Sequence, residues 1–444
     1  MQLHKSISVF LLLSFGFSCF SQNSILFKNV FVFNGKDEKI FKANVLVVGE
    51  LIQKIDSAPI IVDGKSTKII DGRGKYMMPG LIDAHAHMLL ESLPFPLLLT
   101  SDIGFMNLYA AHFAEKQVMR GFTTVRDMGG NTFSLAKAIN SGLIRGPRIF
   151  PSGAAISQTG GHGDFGLPTD VPRNGDNSYL TKSGMTSIAD GADQVLLRSR
   201  EQLRQGASQI KLCAGGGIIS MYDPVDVSQY TAEEIKAAVS AATNWGTYVT
   251  VHAYLPESIR TAVAAGVKCI EHGQLIDEAT VKLMAEKNVW WCLQPFLNDE
   301  DATPFPEGSA NWKKQQEIIK GTDNAYRLAK KYKVKVAFGI DCLFDSTSAK
   351  NQGKILCKLD HWFSPFEILK MATHDNAELL SLCNNRNPYP AGKLGEIAEG
   401  AYADIILVNG NPLENIRLIE NPETNFGLIM KNGIIYKNNV GEGR

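Results

Sequence analysis

The sequence predicts an α/β protein, a (β/α)8 barrel of the TIM type with a smaller β-domain contributed by both ends of the chain. Three observations predict it. From Met78 onward, short apolar runs alternate with helical patterns, which is the sequence sign of a parallel sheet with crossover helices. Eight such runs end near His87, Asp127, Ser157, Ala214, His252, His272, Gln294 and Asp341, and eight strand–helix units close a barrel. The two ends of the chain share a different pattern, short alternating runs punctuated by Gly, as in Asn34-Gly35 and Asn432-Gly433.

Composition supports a folded enzyme-sized protein and excludes other classes. The 444 residues hold 45 Lys+Arg against 45 Asp+Glu, with 44% hydrophobic and 20% charged side chains. Those proportions allow an ample core and exclude disorder, collagen-like repeats and a disulfide-stapled miniature. A charge-neutral chain also lacks the basic surface on which nucleic-acid binding rests.

In chain order, residues 1–21 read as a secretory signal peptide. Lys5 precedes the apolar run Ile7–Phe17, and the small residues Ser18, Cys19 and Ser21 follow, placing cleavage after Ser21. The run is too short to span a bilayer. Cys19 raises a lipoprotein tether as an alternative, but Gly16-Phe17-Ser18 matches the preferred pattern for such sites poorly. No later stretch suits a transmembrane helix, so an exported protein, periplasmic or secreted, is expected. Residues 22–78 carry strand patterns at Val30–Phe33, Ala43–Val48 and Lys68–Gly72, and residues 386–444 carry them at Ala403–Val408 and Phe426–Met430. These two segments are expected to pair into one β-domain flanking a barrel of residues 79–385.

Inside the barrel segment, Thr231 with Glu234 forms a capping box that starts a helix, and Pro256 suits the first turn of the next. Val334–Asp341 reads as the eighth strand, and the Gly-, Asp- and Pro-rich stretch 158–193 as a long loop after the third. Of seven Cys, six remain beyond Cys19, without CxxC pairs. They read as small buried hydrophobes.

Chemistry concentrates at the predicted strand ends. His85 and His87 lie at i and i+2, so both side chains point to one face of a strand and suit two ligands on one metal. His252 and His272 end two further strands. A lone strand-end His is most often a hydrogen-bonded core residue, but four at the same mouth reverse that expectation. Lys211 interrupts the apolar run Ile210–Ala214. A buried ammonium must find a partner or lose its charge. It either pairs with an acid at the mouth or reacts as the neutral amine with carbon dioxide to give a carbamate. Asp341, ending the eighth strand, can ligate a metal and accept a proton from water, or simply cap a helix. Arg126 and Glu271 lie beside the mouth and could support the ligands, but pairing of Arg126 with a neighbouring acid is the preferred reading.

Taken together these motifs resemble the amidohydrolase superfamily. The resemblance rests on Met78-Pro79-Gly80-Leu81-Ile82-Asp83-Ala84-His85-Ala86-His87, on Gly121–Asp127, on Gly400–Ile406, and on the order His-x-His, Lys, His, His, Asp. It covers nearly the whole mature chain and implies a deformed barrel beside a β-sandwich made from both termini. It also implies two divalent ions, usually zinc: His85, His87 and Asp341 on one, His252 and His272 on the other, with carbamylated Lys211 bridging. Thr159–Asp164, Lys211–Gly217 and His252-Ala253-Tyr254 look most like the imidazolonepropionase-like and Xaa-Pro dipeptidase branch. By that resemblance His162 and Tyr254 would hold a substrate carboxylate or polarise the scissile carbonyl. A loop-packing His and a rim aromatic are the duller alternatives.

The function implied is hydrolysis of a C–N bond in an amide, cyclic amide or Xaa-Pro-type dipeptide by a metal-bridging hydroxide, with Asp341 as proton shuttle. A binuclear esterase or lactonase is the nearest alternative, and a non-catalytic exported binding protein is one of another class. The expected partner is a small molecule or dipeptide, not nucleic acid. Barrels of this type often pair, so a homo-oligomer is in view. Specificity is expected in the loops 158–193 and 297–312.

Overall fold

The computed structural model describes residues 23–171, 178–220 and 222–440. The expected signal peptide lies outside the described residues. Strands Leu81–Ala86, Phe122–Asp127 and Arg148–Pro151 form one parallel set. Ala155–Ser157, Ile210–Cys213, Val249–Ala253, Cys269–His272, Trp290–Cys292 and Val336–Ala337 form the other. Backbone hydrogen bonds join the two sets into a closed ring. On one side Ala84 N–H donates to Phe338 O (2.9 Å) and Asp341 N–H to His85 O (2.9 Å); on the other Ser208 N–H donates to Pro151 O (2.7 Å). The Gln209 amide bridges the second seam, donating to Asp127 O and Phe150 O at 3.1 and 2.9 Å. The ring strands are buried along their whole lengths, because helices cover them outside and side chains fill them inside.

The capping box at Thr231 is present, with the Glu234 side chain returning to the Thr231 N–H, and Pro256 opens the helix Pro256–Ala265. Three expectations need correction. The eighth strand is only Val336–Ala337, because the Asn376 side chain replaces its ladder partner, accepting from Phe338 N–H (3.0 Å) and donating to Ile82 O (2.7 Å). The third strand divides into Arg148–Pro151 and Ala155–Ser157, since Gly153 between them takes a left-handed φ of 72°. The stretch 158–193 is not simply a loop: Thr186–Ile188 adds a parallel strand beside Ala155–Ser157, after the short helix Tyr179–Lys182.

The chain ends combine in one eight-stranded sheet. Ile405–Val408 pairs antiparallel with Tyr76–Pro79, and Ser24–Phe33 pairs with strands on both sides. Phe27, Val32, Val45, Met77, Leu407 and Leu428 make its core, drawn from both termini. The six described Cys are buried and unbridged. Among the described residues no helix is long and apolar enough to cross a membrane.

Arg148 joins the barrel to the terminal sheet. Its guanidinium pairs with Asp404 and Asn432 and lies 3.9 Å from the centroid of the Tyr402 ring. Both members of the ion pair are almost fully buried, so removing one strands the other's charge. Arg148→Met is expected to lower the unfolding free energy by about 3–5 kcal/mol, read from urea denaturation. The double replacement Arg148→Met/Asp404→Leu should recover most of that loss. Equal losses in the single and double variants would show that the pair does not couple the two parts.

Candidate active site

The barrel brings His85, His87, His272 and Asp341 to one point at its mouth. His85 Nε2 and His87 Nε2 lie 3.3 and 3.2 Å from the same oxygen, Asp341 Oδ1. Ligand atoms of His85, His272 and Asp341 all fall within 4.8 Å of one another. The His252 ring lies against His272, with centroids 4.4 Å apart, and Lys211 lines the same cavity. His252 is not part of the tight group of His85, His272 and Asp341. Two of the converging residues, His272 and Asp341, have φ of 73° and 51°. Each such non-Gly residue costs about 1–3 kcal/mol and persists only where its surroundings hold it.

Each ring has one nitrogen already committed. His85 Nδ1 faces Glu271 Oε2 at 2.8 Å, His272 Nδ1 faces Gln294 Oε1 at 2.8 Å, and His252 Nε2 faces Gly216 O at 3.0 Å. These acceptors draw the N–H and leave the other ring nitrogen as a lone pair, which is how ligating imidazoles are oriented. Burial pushes His85 down to about 4, against the pull of Asp341, and holds His252 and His272 well below the usual imidazole range. Burial would raise Asp341 and Glu271, but the surrounding His85, His87 and His272 rings keep Asp341 well below the usual carboxylate range, and Arg126 and His85 do the same for Glu271.

His85 therefore has one proton and two carboxylates. Its short contact to Glu271 takes the N–H, so the Nε2 lone pair faces Asp341 Oδ1. Two electron-rich atoms at 3.3 Å repel each other unless a cation lies between them, so the donor set fits a divalent metal.

Glu271 and Arg126 serve both of the roles weighed for them: Arg126 Nη2 pairs with Glu271 Oε1 at 2.7 Å, and Glu271 orients His85. The sequence reading missed Gln294 and Asp83. Asp83 Oδ1 accepts the N–H groups of His85 (2.9 Å) and Ile340 (3.3 Å) and so ties two site-bearing segments together. A carboxylate two residues before His85 on a buried strand was the available signal. His162 and Tyr254 both line the cavity. His162 stacks on His252 (3.9 Å, 14°), and the Tyr254 ring lies 5.2 Å from His272. Beyond the His cluster the wall is largely apolar, with Leu90, Phe165, Ile218, Phe296, Leu343 and Phe344, and also carries Gln315, Asp345 and Lys358. Both stretches expected to carry specificity contribute, Phe165 from one and Phe305 from the other.

A parallel barrel that gathers buried imidazoles and a carboxylate at the C-terminal ends of its strands has the layout of a hydrolytic enzyme. The chain belongs to the amidohydrolase family, whose model matches residues 76–437. It is 31% identical over 388 residues to the ochratoxinase of Aspergillus niger, covering 81% of this chain and 75% of that one. Among solved structures it is similar to a prolidase complexed with N-methylphosphonate-L-proline, with 32% identity and a TM-score of 0.85 over 94% of this chain and 100% of that one. It is also similar to a Xaa-Pro dipeptidase with bound methionine, with 29% identity and a TM-score of 0.80 over the same shares. The protein is an enzyme, a hydrolase acting on carbon–nitrogen bonds.

Replacing Glu271 by Gln removes the acceptor that orients His85 and the counter-charge of Arg126. Zinc affinity is expected to fall about 10–100-fold, measured by competition with a coloured chelator. Unchanged affinity would separate Glu271 from the site.

Proposed function

We propose that the enzyme hydrolyses the amide bond of an N-acyl amino acid or a dipeptide, Xaa-Pro-type substrates included, with two divalent metal ions, zinc first among them. The observation that carries this is the His85 ring, whose Nδ1 lies 2.8 Å from Glu271 Oε2 while its Nε2 lies 3.3 Å from Asp341 Oδ1. His85, His87 and Asp341 would hold one ion and His252 and His272 the other, with Lys211 as a carbamate between them. Supporting that role, Lys211 is buried and makes no hydrogen bond or ion pair with the described residues. Carbon dioxide would turn its amine into an anion.

Bound there, such ions lower the pKa of water and polarise the scissile carbonyl. Asp341, held ionised by its surroundings, takes the proton of the attacking water and returns it to the leaving nitrogen. Glu271 keeps the His85 proton away from the reacting side. His162 and Tyr254 bind the substrate carboxylate, and the apolar wall favours bulky apolar side chains and excludes water. We also read residues 22–78 and 386–444 as one β-sandwich beside the barrel of 79–385, supported by the pairing of Tyr76–Pro79 with Ile405–Val408. Residues 1–21 we read as a cleaved export signal, so the mature enzyme should begin at Gln22 on N-terminal sequencing.

The test is turnover by zinc-loaded protein of N-acyl amino acids, dipeptides, cyclic amides, lactones and aryl esters. Amides with large apolar side chains are expected to turn over, and Asp341→Asn should lower kcat by about 10²–10⁴-fold. Turnover of esters or lactones alone, or full activity in Asp341→Asn, would overturn the proposal. In ¹³C NMR after ¹³C-bicarbonate loading, the wild type should show a carbamate resonance that Lys211→Met lacks.

A further inference from the structure

Lys314, outside the cluster, makes an unusual set of contacts. It stands in the early turns of the helix Ala310–Tyr332, and its ammonium donates to three backbone carbonyls of the segment after the fourth barrel strand: Gly217 O (3.1 Å), Ser220 O (3.1 Å) and Asp223 O (2.6 Å). The neighbouring Asn311 amide donates to Ile218 O at 2.5 Å. One helix thus gathers the carbonyls of a remote loop much as a bound cation would.

That loop holds His162. The Ser220 hydroxyl lies 3.0 Å from His162 Nδ1 and 3.1 Å from Gly217 O, so its one proton has two candidate acceptors. Gly217 packs so closely on the ring that a Cβ there would fall 2.0 Å from His162 Nδ1. Asp223 Oδ2, 3.9 Å from Nδ1, is beyond hydrogen-bond reach and already accepts from Gly217 N–H and the Gln229 amide. The other ring nitrogen, Nε2, has no hydrogen-bond partner among the described residues, and the ring lines the cavity.

We propose that Lys314 is a positioning residue that fixes the tautomer of His162. By supplying a charged donor to Gly217 O, Lys314 releases the Ser220 proton to His162 Nδ1. The ring proton then sits on Nε2, where it can donate to an anionic substrate group. Without Lys314, Ser220 turns its proton to Gly217 O, accepts one from Nδ1, and leaves Nε2 as a lone pair that repels a carboxylate. This rests on the role given to His162 under Proposed function.

The test pairs kinetics with a direct view of the proton. In ¹⁵N spectra of histidine-labelled protein, assigned with His162→Asn, wild-type His162 should be protonated at Nε2 and Lys314→Met should move the proton to Nδ1. For N-acyl amino acids with a free carboxylate, Lys314→Met should lower kcat/KM about 10–100-fold, the scale of a hydrogen bond to a charged group, chiefly through KM. The same substrates capped as C-terminal amides should show little change, whereas a general loosening of the site would lower both alike. Ser220→Ala should reproduce the kinetic loss while leaving the carbonyl cage intact, and the double variant should lose no more than either single one. Wild-type protonation at Nδ1, or equal losses on free and capped substrates, overturns the proposal. Absence of any amide turnover in the wild type would instead sink the proposed function, with the tautomer still read from the spectra.

Discussion

The buried contact between Arg126 and Glu271 organises the interior of the barrel. A buried ion pair is weak evidence for stability, since the desolvation of both charges consumes most of the Coulombic gain. What this one supplies is geometry. Arg126 stands on the second strand of the ring; its Nε donates to Ala84 O at 2.6 Å on the first, its Nη2 to Glu271 on the sixth, and its Nη1 to the Tyr248 hydroxyl at 3.3 Å before the fifth. Glu271 in turn accepts from the Thr250 hydroxyl and faces His85. The strand that carries His85 and His87 is thereby held in register with the strand that carries His272. With either charge removed, the other remains fully buried, and the cross-barrel tie is lost along with it.

The same economy shapes the backbone of the site. His272 and Asp341 sit in left-handed conformations that their own side chains disfavour. The surroundings that impose them are specific. The Trp291 indole N–H donates to His272 O, the Gln294 amide oxygen holds the His272 ring, and Asp341 N–H is tied to His85 O. Gly339 lies against the His85 backbone so closely that a Cβ would fall 2.5 Å from His85 N. Strain at Asp341 and the short eighth strand are thus one feature: the chain leaves the ladder to bring a carboxylate over the two His of the first strand.

Much of this was legible in the sequence, for definable reasons. Strand ends are visible as apolar runs, and period two places His85 and His87 on one face, so the mouth of the barrel could be located from local pattern. Gly-punctuated strands at both ends likewise anticipated the shared sheet. What escaped depended on distant side chains. The eighth strand stops because Asn376, 38 residues after Phe338, takes its hydrogen bonds. The Lys314 contacts span 91 to 97 residues, and no local periodicity encodes them. The strand Thr186–Ile188 was hidden in a stretch whose Gly, Asp and Pro content signalled only a loop.

Burial treats every charge in the site alike, and the outcome depends on what each group can do about it. Burial holds His85, His252 and His272 below the usual imidazole range, which suits them to ligate a metal. Glu271 keeps its charge because Arg126 is beside it. Asp341 keeps its charge beside the His85, His87 and His272 rings, and the Lys211 side chain lines the same cavity. Arg126 and Glu271 balance each other, whereas Lys211 has no ion-pair partner among the described residues. Under the two-ion proposal an ammonium at this position would repel incoming metal, while a carbamate on Lys211 would reverse the sign and supply a ligand. On that proposal Lys211 would be the position at which the folded scaffold meets its chemistry.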